Sequence, residues 1–208
     1  MARDTKQCAK CRRAGEKLFL KGEKCFGPKC PLLKRNYPPG MHGSEAKHHS
    51  KLSGYGKQLR EKQKAKRIYG IMERQFANYV AEASKKVGNT GIILINYLES
   101  RLDNAVYRMG LGKSRQSARQ IVSHGHITVN GRKVDVPSFR VKVGQIIALK
   151  ESSKNKPAFT NIEERLAKAE APSWISVDAK KVSAKITSDP VKEEPEFDAK
   201  TIIEFYSR

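Results

Sequence analysis

Cys8 and Cys11 form a C-x-x-C pair, and Cys25 and Cys30 follow inside "CFGPKC"; these four are the only cysteines in 208 residues. Thiols at such spacing support three chemistries: a redox pair, two disulfides, or one metal ion held by four thiolates. A redox pair calls for a C-x-x-C beside a βαβ pattern, whereas "RRAGEKLFLKGEK" between the pairs reads as a short basic hairpin. Two pairs separated by a turn-rich insert suit tetrahedral coordination, and the alternative is a cluster of reduced thiols. The opening "MARDTKQCAKC" has no apolar stretch that could serve as a signal peptide. No apolar run approaches the roughly eighteen residues of a membrane span. A soluble, intracellular protein is therefore expected, in a compartment that disfavours structural disulfides.

Other chemistry-bearing groups form no active-site pattern. His42, His48, His49, His124 and His126 lack metalloprotease spacing, and no P-loop, G-x-S-x-G or dinucleotide fingerprint occurs. "SRLDN" places Asp103 beside Arg101, a context also met around catalytic aspartates of pseudouridine synthases; inside a helix it reads instead as a solvated or arginine-paired carboxylate. No enzyme is expected.

Charge is the strongest signal. Forty-two Lys and Arg oppose twenty-one Asp and Glu, a net of +21 that calls for a polyanionic partner. Residues 1–70 hold 19 basic and 5 acidic residues, residues 71–150 hold 13 and 5, and residues 151–208 hold 10 and 11. The anion-binding surface thus belongs to the first two-thirds, and the tail suits packing or a protein partner.

The elements that must position these charges follow from periodicity. After the turn "NYPPGMHG", a basic stretch with Lys57, Arg60, Lys62, Lys64, Lys66 and Arg67 leads into an amphipathic helix ending near Gly88. With no acidic partner after Glu61, the basic run is expected to contact phosphates. A second helix spans "TGIILINYLESRLDNAVYRMG", with Arg101 and Arg108 beside its apolar stripe; a third, capped by Ser114, carries Arg115 and Arg119 and ends at Gly125. Asn130-Gly131 is a hairpin turn signal, and "FRVKVGQIIALK" adds an alternating strand. Further basic groups are Lys113, Arg132 and Lys133, with His124 nearby. The tail reads as a helix, two strand-like runs, an acidic loop "EEPEFD" and an apolar end, "KTIIEFYSR", that together with Trp174 is expected to pack on the helical region. Arginine pairs on adjoining helices suit phosphate gripping and base stacking, and RNA recognised by shape fits better than a DNA major groove.

"SRLDNAVYRMGLGKSRQSARQIVSHGHITVNGRKVDVPSFRVKVGQII" resembles the RNA-binding module named after bacterial small-subunit ribosomal protein S-four. "CRRAGEKLFLKGEKCFGPKC", "YPPGMHG", "SGYGKQLREKQKAKRIYGIMERQF" and "IIEFYSR" extend that resemblance to the family nearly end to end, with a departure at Ser100, where a basic residue is common. The module alone is shared with pseudouridine synthases and tRNA-handling proteins, which makes an RNA-modifying enzyme the alternative. The resemblance implies an α+β protein of three parts. Residues 1–44 would be a basic N-terminal lobe with a metal on its four cysteines, residues 45–97 a helical rRNA-binding domain completed by 160–208, and residues 98–159 the inserted RNA-binding module. It implies one Zn²⁺ on Cys8, Cys11, Cys25 and Cys30, four thiolates that would equally accept an iron–sulfur cluster. It also implies a cytoplasmic ribosomal protein that binds small-subunit rRNA at a helix junction of the 5′ domain. That protein would nucleate assembly, touch ribosomal protein S-five and lie beside mRNA at the entry channel. RNA contact falls to the basic residues named above together with Arg12, Arg13 and Lys21.

Overall fold

The computed structural model describes residues 6–44, 52–190 and 197–207. The chain divides into two compact units, Met1–Gly91 with Glu194–Arg208, and Ile92–Glu193.

In the first unit, α1 (Gln7–Ala14) ends at Gly15, whose left-handed φ of 76° lets its N–H reach the Cys11 carbonyl. A 3₁₀ turn (Gly22–Cys25) and the short α2 (Pro31–Lys34) follow, so the segment between the cysteine pairs is helix and turn, not the expected hairpin. Residues 7–14 hold no β-branched residue to favour a strand. α3 (Gly54–Tyr69) is capped by Ser53, whose hydroxyl accepts from the Gly56 N–H at 3.1 Å. The expected continuous helix breaks at Gly70, in the left-handed region at φ 64°, and resumes as α4 (Glu73–Ser84). That break carries Glu73 back toward α3, a consequence no periodicity reveals.

The second unit begins with α5 (Thr90–Glu99), whose bounds start two residues before the unit does, and α6 (Leu102–Arg108). These are two helices rather than one, because Arg101 adopts an extended backbone and bridges to Arg140 in antiparallel fashion. α7 (Arg115–Ser123) starts at Ser114, which accepts from the Ser117 N–H at 3.2 Å. The turn before it admits no side chain: a Cβ on Gly112 would come within 2.8 Å of the Ala118 backbone nitrogen. β1 (Ile127–Val129) and β2 (Arg132–Lys133) join through Asn130 and Gly131, at φ 49° and 79°, as the hairpin signal requires. β3 (Ile146–Leu149), α8 (Glu151–Lys154), a 3₁₀ turn (Pro157–Phe159) and α9 (Ile162–Ala167) come next. β4 (Ile175–Asp178) and β5 (Ser183–Ile186) complete an antiparallel sheet of order β2-β1-β3-β5-β4.

This sheet corrects the tail. Residues 160–193 do not complete the helical region: β5 pairs with β3, and Trp174 lies in the same core as Leu102, Val106, Ile147 and Ile186. Among the described residues the chain returns to the first unit at Phe197, whose ring meets Tyr69 edge-on at 6.2 Å, and at α10 (Ala199–Tyr206), which packs on α3 with Ile202 buried. Asp198 caps it, accepting from the Lys200 and Thr201 N–H groups at 2.9 and 3.3 Å. The acidic loop falls mostly, and His48 and His49 entirely, outside the described residues.

Candidate nucleic-acid interface

The four cysteines converge. None is in a disulfide, three are buried, and all four line one pocket of about 360 Å³. Burial pushes the Cys11 thiol above its ordinary range against a lowering hydrogen bond from the Leu18 backbone, and the neighbouring Cys25, Cys8 and Cys30 push it further. The Lys21 N–H donates to the Cys25 sulfur at 3.4 Å. Among the described residues no group of three or more His, Cys, Asp or Glu is arranged to hold a metal ion. The four cysteines share the lining of one pocket, and the sulfurs of Cys11 and Cys25 each receive a backbone N–H group.

Around this lobe, Arg12 is partly buried. Its Nε donates to the Tyr37 carbonyl at 3.0 Å, and its guanidinium lies 4.6 Å over the Tyr37 ring, clamping the "YPPG" turn to α1. Arg13 and Lys21 are exposed.

On α3 the expected row of phosphate contacts divides. Lys57 and Arg60 are exposed. Lys62 is buried, donates to Glu73 at 2.7 Å, and places its ammonium 4.4 Å over the Phe205 ring. Lys66 donates to the other Glu73 oxygen at 2.8 Å, Lys64 pairs with Glu16 at 2.9 Å, and Arg67 is half-buried. The basic run therefore does have acidic partners, supplied by α4 and by the loop after α1. Lys62 is withdrawn from the surface and cannot be the phosphate contact expected of it. Partial burial pushes the Glu73 carboxyl up, but hydrogen bonds from Lys62, Lys66 and the Tyr206 hydroxyl overcome it and hold the pKa at about 2. Burial and the same bond push the Tyr206 phenol well up.

In the second unit the arginines rest on a buried polar floor. Arg101 is 0% exposed and donates to Asp103 through Nε at 3.0 Å and Nη2 at 2.8 Å. This corrects its expected place on the RNA-facing edge: a side chain sealed in the interior cannot touch a phosphate. Arg119 donates to the same carboxylate at 3.2 Å, so Asp103 is the arginine-paired group anticipated. Glu99, equally buried, accepts from Arg108 at 3.0 and 2.9 Å and from Asn104 at 2.8 Å. The Asn104 oxygen in turn accepts from Arg115 at 3.0 Å, and Arg115 lies 4.8 Å over the Tyr107 ring. Arg108, Arg115 and Arg119 are half-buried. Ser100 is buried and donates to the Tyr97 carbonyl, so a basic side chain there would not project freely. Lys113, His124, Arg132 and Lys133 are exposed, Lys133 within 3.5 Å of Asp135. His126, half-buried, lies 3.0 Å from the Ser153 hydroxyl; burial, and then Lys156, His124 and Lys150, lower its pKa.

Glu73, Glu99 and Asn104 are the residues that sequence reasoning passes over. Glu99 carries a signal, a lone carboxylate closing the apolar run "GIILINYLE". Glu73 carries none, because its partners meet it only once Gly70 reverses the chain.

Exposed cations on each unit, and carboxylates that orient arginines rather than activate a nucleophile, define a polyanion-binding class of protein. Residues 3–99 match the family model described as the ribosomal protein S4/S9 N-terminal domain, and residues 100–147 match the S4 domain. The chain is 52% identical over 211 residues to small ribosomal subunit protein uS4 of Acetivibrio thermocellus, with both chains covered in full. It is 50% identical over 203 residues to uS4A of Alkaliphilus metalliredigens, covering 97% of this chain and 96% of that one, and 49% identical to uS4 of Clostridioides difficile over 211. The chain belongs to the small ribosomal subunit protein uS4 family.

Proposed function

We propose that this chain is a structural constituent of the small ribosomal subunit, located on the cytoplasmic ribosome, that binds small-subunit rRNA directly and is not an enzyme. The observation that carries this reading is end-to-end identity of about half to proteins of that name. Physically, the exposed Arg13, Lys21, Lys57 and Arg60 supply mobile charge. Arg108, Arg115 and Arg119 supply guanidinium planes already fixed by Glu99, Asn104 and Asp103, so less side-chain entropy is lost on gripping a phosphate. Cys8, Cys11, Cys25 and Cys30 would hold one Zn²⁺, which would link α1 to the turns after it in a lobe with few apolar residues of its own. Recognition of a helix junction in the 5′ domain, early binding that nucleates assembly, contact with ribosomal protein S-five, and a place beside the mRNA entry channel bearing on translational accuracy belong to the same reading. The test is sedimentation of the endogenous protein: after a high-salt wash it remains with the small subunit. Recovery in the free fraction defeats the proposal.

A further inference from the structure

Within the N-terminal lobe the rings of Phe19 and Phe26 stack with centroids 4.8 Å apart and planes 28° from parallel. The pair faces solvent, with Phe19 37% and Phe26 71% exposed. Phe19 has a φ of 48°, a left-handed backbone that a bulky residue adopts only under strain, and strain of this kind gathers at binding sites. The neighbouring Leu18 is 2% exposed, so the lobe buries one apolar side chain and turns the next outward. A Cβ on the adjoining Gly27 would meet nothing within 4 Å. Lys21, Lys24 and Lys29, close in the chain, are all exposed.

An aromatic face presented to water, with exposed lysines close in the chain, matches what an unpaired nucleobase with flanking phosphates needs. An apolar protein partner would have to desolvate the same ammonium groups without return. We propose that Phe26, backed by Phe19, is a stacking platform for an unpaired base of RNA, with Lys21, Lys24 and Lys29 drawing the adjacent phosphates. The inference rests on the rRNA-binding reading above and adds to it a site and a ligand class.

Two probes test it on the full chain: protein-free small-subunit rRNA, and an oligoadenylate of about ten nucleotides carrying 2-aminopurine. Wild-type protein should quench the 2-aminopurine by stacking. Phe26→Ala should abolish the quenching and weaken rRNA binding about ten-fold, at an unchanged thermal midpoint, while Phe26→Trp retains both signals. Phe26→Leu, which keeps apolar bulk without the ring, should behave as Phe26→Ala, and it carries the test if the alanine variant misfolds. No quenching by the wild type, full rRNA affinity in Phe26→Ala, or full activity in Phe26→Leu overturns the platform. Failure of the wild type to bind rRNA at all would instead overturn the broader functional reading.

Discussion

Asp103 receives two arginines, one fully buried and one half-open, so removing its carboxylate acts on stability and on the RNA-facing surface together. Asp103→Ala should cost about 3 kcal/mol in denaturant unfolding, because the buried Arg101 guanidinium loses its carboxylate. A loss below about 1 kcal/mol would mean that the network is incidental. Glu73 makes a pH prediction. Its folded pKa of about 2 lies below the ordinary carboxylate value of 4.5, so the stability it contributes is complete above about pH 4.5 and disappears as pH falls toward 2. Its side chain is 46% exposed, so solvent screening keeps that contribution small. Glu73→Gln should lower the thermal midpoint by about 2–4 °C at neutral pH and flatten the acid limb of the stability curve. An unchanged acid limb would remove Glu73 from the account.

The elements show what a single sequence discloses. Ser114 accepts from the Ser117 N–H and Asn130-Gly131 take positive φ, so the start of α7 and the β1–β2 turn are legible from local chemistry. Gly70 and Arg101 interrupt helices whose apolar period continues across the break, so periodicity predicts one helix where two exist. The β3–β5 pairing joins residues almost forty positions apart, which local patterns do not encode. The candidate site divides in the same way. The exposed cations can be read directly, whereas Lys62 and Arg101 leave the surface because of partners supplied by tertiary folding. Trp174, the single tryptophan, lies in the core of the second unit and gives that unit its own reporter. Cys8→Ser should lower bound zinc well below one per chain by anaerobic elemental analysis, loosen the N-terminal lobe, and leave Trp174 emission and its unfolding midpoint unchanged. Iron with acid-labile sulfide, or no metal in the wild type, would contradict the zinc assignment.

At the scale of the whole molecule, a net charge of +21 should work through shape rather than as bulk polycation. Roughly six to ten phosphate contacts lose about 10³–10⁵ in affinity between roughly 50 and 200 mM salt, and a slope of that size would show only basicity. Specificity must come from guanidiniums fixed in place, as Arg108, Arg115 and Arg119 are by their buried partners. The most direct measurement is binding of the purified full chain, with no other ribosomal protein, to protein-free small-subunit rRNA in competition with folded tRNA and duplex RNA at equal nucleotide concentration. Tight rRNA binding that both competitors displace poorly is the expected result. Displacement by tRNA or duplex as effective as by rRNA itself would contradict it.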